Sequence, residues 1–107
     1  MFDLEQINKR YFDLKLKVED DNGAMKNIQL QIKPPKIKTL KKVIALSAVK
    51  DEEAIDDLAD AVKMILANNK SNYKVTDKIV DNLNIDQLNT ILVAYFQWLS
   101  IEQKNPN

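Results

Sequence analysis

Two stretches near the start of the chain alternate apolar and polar residues at period two, and the only glycine of the sequence lies between them. Phe12, Leu14, Leu16 and Val18 alternate with Asp13, Lys15, Lys17 and Glu19; Ile28, Leu30 and Ile32 alternate with Gln29, Gln31 and Lys33. Successive side chains of a strand point to opposite faces, so both runs read as half-buried strands of one β-hairpin. Asn22-Gly23 suggests a two-residue turn, but that turn sets Val18 opposite Asn27 and Leu16 opposite Gln29, mixing apolar with polar on each face. A three-residue loop, Asp21-Asn22-Gly23, sets Leu16 opposite Ile28, Leu14 opposite Leu30 and Phe12 opposite Ile32. A slip of one residue exposes the whole apolar row, so this register is expected, with Gly23 in the left-handed position. Pro34-Pro35 ends the second strand, because neither residue can donate to a ladder.

Downstream the period changes. Lys36 to Val49 reads as a helix with Ile37, Leu40, Ile44 and Ala48 on one stripe and Val43 beside it. Asp51 suits the N-cap of a second helix, and Glu52-Glu53 suit its positive dipole end. Ile55, Leu58, Ala59, Val62, Ile65 and Leu66 follow at spacings of three and four. Asn68 to Asn72 reads as a polar connection. Thr76 can cap a short helix carrying Ile79, Val80 and Leu83. Asn84 or Asp86 starts a last helix running to about Glu102. Strands first and helices after is the α+β pattern: an N-terminal β-hairpin followed by about four α-helices in a single small domain. The expected divisions are an arm over 1–9, the hairpin over 10–33, the helical part over 36–102 and a polar tail over 103–107. Phe2, Leu4 and Ile7 leave the arm open as a third strand, a helix turn or a flexible segment.

At 107 residues, 45% hydrophobic and 30% charged, the chain suits one packed domain. It has no Cys and no His, which excludes disulfides, Cys or His zinc sites, thiol nucleophiles and histidine bases. Sixteen basic residues balance sixteen acidic ones, yet unevenly. Residues 1–50 hold 11 Lys/Arg against 6 Asp/Glu, and residues 51–107 hold 5 against 10, so halves of +5 and −5 can attract within one fold or between copies. The start carries acids where a signal peptide needs cations, and the longest apolar run, Ile91 to Phe96, falls far short of a membrane span. The expected compartment is the cytoplasm, with no membrane partner.

Each charged constellation has a plain reading. Glu52, Asp56 and Asp60 form an i, i+4 stripe that could hold Mg²⁺, but it lies off the apolar face and reads as solvated. Glu19 to Gly23 echoes a calcium loop and fails, because Val18 would be its first ligand. No metal and no cofactor is expected. Lys33, Lys36, Lys38, Lys41 and Lys42 form a basic cluster, with no acid between Asp21 and Asp51. It lacks arginine, interleaved aromatics and a phosphate loop, so nucleic acid is not the expected partner. Ser47, Ser71 and Ser100 have no histidine and no elbow motif, so no enzyme is expected. The last helix differs. At about 100° per residue its apolar arc runs from Trp98 through Leu88 to Phe96, roughly 160° wide, with Val93 beyond it. A hairpin and one helix can cover such an arc, or part of it is left for a partner. Phe96 with Val93 is the edge expected to face a partner, since Trp98 sits beside Ile91 and Tyr95 where the arc is denser.

Three segments together resemble the tail assembly chaperones of long-tailed bacteriophages that infect Gram-positive bacteria. They are Arg10-Tyr11-Phe12-Asp13-Leu14, Lys33-Pro34-Pro35-Lys36-Ile37-Lys38-Thr39-Leu40-Lys41-Lys42, and Leu83-Asn84-Ile85-Asp86-Gln87-Leu88 through Tyr95-Phe96-Gln97-Trp98-Leu99. The resemblance covers about residues 10–101. It implies a non-enzymatic protein that keeps the long tape measure protein soluble while the tail tube assembles in the host cytoplasm. It also implies the major tail protein as a further partner, and self-association. The partner-binding residues expected on this reading are Val93, Phe96, Lys38, Lys41 and Lys42. Two other readings stand beside it: a minor tail or connector protein retained in the virion, and a small nucleic-acid-binding regulator using the lysines.

Overall fold

The computed structural model describes residues 3, 4, 10–19, 22–48 and 54–101. Strand β1 (Phe12–Glu19) pairs antiparallel with β2 (Met25–Ile32), and four helices follow: α1 (Ile37–Ser47), α2 (Ala54–Ala67), α3 (Asp77–Asp81) and α4 (Ile85–Ile101). This is a small α+β domain of the kind the pattern predicts. Phe12 faces Ile32, Leu14 faces Leu30 and Leu16 faces Ile28, so parity of the apolar row decides the register. Gly23 has φ of +83°, a conformation that costs a side chain but not glycine. Asp20 and Asp21 lie outside the described residues, as do residues 1, 2 and 5–9 of the arm, the Asp51 cap with Glu52-Glu53, and the tail.

One face of the hairpin is the floor of the core. Leu16, Val18, Leu30 and Ile32 are buried there, while Lys15, Lys17, Gln29 and Gln31 point to solvent. Helix α2 lies at the centre and touches β2, α1, α3 and α4. It buries Ala61, Val62, Ile65 and Leu66 completely or nearly so. At roughly 25 cal/mol per Å² of apolar area removed from water, this central helix supplies much of the burial that holds the domain.

Two helical faces differ from the expected ones. Helix α1 turns Val43 inward, with Leu40 and Leu46 half-buried beside it, and leaves Ile37 67% and Ile44 51% exposed. The helix carries two apolar stripes, and the one centred on Val43 meets α2. Ile55 is 62% exposed because it sits in the first turn of α2, ahead of the packed part of that helix.

The segment 68–72 is more than a polar connection. Asn69 is 1% exposed and bridges to Ile32 across the open edge of β2. Its Nδ2 donates to the carbonyl oxygens of Leu66 (2.8 Å) and Tyr73 (2.9 Å), and its Oδ1 accepts from the Tyr73 N–H (2.7 Å) and the Ser71 hydroxyl (3.2 Å). Lys33 N–H donates to the Asn68 carbonyl and Lys70 N–H to the Gln31 carbonyl, lacing the loop to the strand. A buried amide is tolerated only when its donors and acceptors are matched, and here they are. Asn72 turns the chain at φ of 59°, in the left-handed region that asparagine enters more readily than most residues.

Side chains cap the starts of α3 and α4, whereas the N-cap of α1, Lys36, makes no side-chain cap bond. Thr76 Oγ1 accepts from the Ile79 N–H. Asn84 Oδ1 accepts from Gln87 N–H at 2.8 Å while Gln87 Oε1 accepts from Asn84 N–H at 2.8 Å, a reciprocal box that selects Asn84 over Asp86 as the start of α4.

Candidate apolar docking groove

Helix α4 is anchored along one side by the hairpin. The Phe12 ring stacks on Trp98 at 5.7 Å between centroids and meets the edge of Tyr95 at 6.0 Å. Tyr95 lies 5.8 Å from Trp98 and 5.6 Å from Phe96, so its ring is the hub of the aromatic cluster. Tyr95 is 1% exposed, and this burial pushes its phenol pKa up to about 12, since the anion loses its hydration there.

The other side of α4 is open. Leu92, Val93 and Phe96, with Asn89, Gln97 and Ser100, form one wall of a groove of about 730 Å³. Leu58 of α2 and Ser47 at the end of α1 form the other. Val93 is 57% exposed and Phe96 is half-buried. The apolar strip therefore runs along the helix axis, with two amides and two hydroxyls at its margins. Such a strip admits the apolar face of an amphipathic helix, whose anchors fall at i, i+3 or i+4, and i+7. The Ser47 hydroxyl is already bonded to the Val43 carbonyl at 2.8 Å, so it borders the groove as a capped polar group. A second groove, about 680 Å³, lies between β1 and the start of α4, with Lys15, Lys17, Asn82 and Asp86 among its lining. It is apolar too, with Leu14, Leu16, Met25, Leu83 and Ile91 in its lining, but charged side chains stand at its rim, whereas the described lining of the first groove carries none.

Val93 and Phe96 thus share one groove. Lys38, Lys41 and Lys42 do not line it; they stand exposed on α1. Ser47 and Leu58 were not anticipated as walls, because nothing in a local pattern says which helices flank α4. Among the described residues no group of three or more acids is placed to hold a metal ion, and no helix is long and apolar enough to cross a membrane. Asp56 and Asp60 are exposed.

No protein-family model, no curated protein and no solved structure matches this chain.

Proposed function

We propose that this protein is a tail assembly chaperone of a bacteriophage, holding amphipathic segments of the tape measure protein in solution while the tail tube is built. The observation that carries the reading is the open apolar groove along Val93 and Phe96. A tape measure protein is long, helical and apolar along much of its length, as the family resemblance implies. A groove that accepts one helical face removes that face from water and competes with its aggregation. The role is non-enzymatic, and its place is the cytoplasm of the infected bacterium. The exposed lysines of α1 have no interleaved aromatic residues among Lys36 to Lys42, which argues for a protein rather than a single-stranded nucleic acid as partner.

The test is co-expression with a phage tape measure protein. The chaperone reading predicts that the partner moves from the pellet to the supernatant and elutes together with this protein. A partner that stays insoluble contradicts the reading. Stoichiometric presence of this protein in purified virions contradicts it too, in favour of a structural tail component.

A further inference from the structure

Helix α1 presents to solvent a stripe that its packing on α2 does not explain. Ile37, Lys41 and Ile44 recur at spacings of four and three on the side away from Val43, with Lys38 and Lys42 along its flank. Ile37 and Ile44 keep 67% and 51% of their surface exposed, while Val43 on the opposite side keeps none. Large aliphatic residues repeated on one exposed helical face, set among cations, mark a surface that meets another protein rather than a solubilising face. Among the described residues, Lys38, Lys41 and Lys42 take part in no ion pair.

The complementary surface lies on the same chain. Exposed Asp56 and Asp60 of α2 stand beside exposed Asp77 and Asp81 of α3, with Lys63 offsetting only Asp77, at 2.7 Å. This acidic surface is on the α3 side of α2, whereas α1 packs elsewhere on α2, near Met64 and Ala67. One molecule therefore cannot bring its own two surfaces together.

We infer that the Ile37–Lys41–Ile44 face of α1 docks onto the Asp56–Asp60 face of a second copy of this chain, head to tail. Opposite charges fix the register, and Ile37 and Ile44 supply apolar area for the contact. The two patches are different, so the contact is heterologous and propagates into a ring or a filament rather than stopping at a two-fold dimer. The surface is separate from the Val93–Phe96 groove, so assembled copies keep that groove open. The inference stands whether or not the groove holds a tape measure protein.

Sedimentation velocity on the full chain tests it. The wild type is expected to show a mass that rises with concentration at low salt and falls to the monomer value at about 0.5 M NaCl, where the Debye length is only a few Å. K38E/K41E/K42E and, separately, D56K/D60K are each expected to be monomeric, with circular dichroism melts confirming that they fold. An equimolar mixture of the two variants restores opposite charge at every junction and is expected to reassociate. A monomeric wild type at every concentration overturns the inference. So does association untouched by either reversal, or association that mixing does not restore. Should a triple reversal fail to fold, the milder I37S/I44S variant gives the same reading, with monomer expected and undiminished association as the contrary result.

Discussion

The guanidinium of Arg10 lies 4.5 Å from the centre of the Trp98 ring and donates a hydrogen bond to the Trp98 carbonyl oxygen at 2.9 Å. One side chain from the start of the hairpin thereby holds the last turn of α4 by its indole face and its backbone. A cation at that end also opposes the negative pole of the helix. With Phe12 stacked on the same indole, Trp98 belongs to the covered side of α4, and Phe96 to the open side.

Replacing Arg10 tests this clip. Arg10→Ala is expected to lower stability by about 1–2 kcal/mol, for one charge-assisted hydrogen bond and one cation–π contact at a half-buried site. Arg10→Lys should recover only part, because lysine keeps the charge without the planar fork. Thermal melts of the two variants beside wild type decide it; equal melting of all three would show that the clip carries no stability.

Asn69 is the polar centre of the fold. Asn69→Ala removes the partner of the Tyr73 N–H and of the Leu66 and Tyr73 carbonyls in a place water does not reach. The expected loss is about 2–4 kcal/mol, within the range for stranding buried backbone groups. Asn69→Asp should be worse near neutral pH than at pH 4, since the ionised carboxylate would face two carbonyl oxygens. Urea midpoints at the two pH values provide the check.

Tyr95 gives the domain an alkaline limit. Its folded pKa of about 12 stands above the ordinary value of 10.0, because burial disfavours the phenolate. Below pH 10 the phenol is neutral in both states and its contribution is intact. Between pH 10 and pH 12 the unfolded phenol ionises while the folded one stays neutral, so stability falls by about 2–3 kcal/mol. Denaturant midpoints at pH 9.5 and 11.5 should show a drop in wild type that is smaller in Tyr95→Phe. An equal drop in both would assign the alkaline loss to other groups.

The parts of the fold that were legible in sequence are those governed by local period. The hairpin register follows from parity, since only one loop length aligns Phe12, Leu14 and Leu16 with Ile32, Leu30 and Ile28. The Thr76 and Asn84 caps follow from side-chain chemistry at a helix start. What local pattern could not settle was which of two apolar stripes on α1 faces inward. Ile37–Ile44 and Leu40–Val43 are equally periodic, and the choice is made by α2, distant in sequence. Asn69 was hidden for another reason: a run of asparagines reads as solvated loop, and its burial depends on docking against the edge of β2. For the groove, Val93 and Phe96 could be named from the arc of α4, whereas Ser47 and Leu58 come from helices whose position no local signal encodes.

The central claim is that the open side of α4, not its covered side, holds the partner, and comparison of Phe96→Ser with Trp98→Ser tests it most directly. Trp98→Ser removes the ring between Arg10 and Phe12 and is expected to cost about 3 kcal/mol or more. Phe96→Ser should cost less, because one flank of that ring lines the groove. The decisive measurement is the soluble fraction of co-expressed tape measure protein with the Phe96→Ser variant, once its melt shows it folded. A folded variant that leaves the partner in the pellet is the predicted result. A folded Phe96→Ser variant that holds the partner in solution as well as wild type does would contradict the claim.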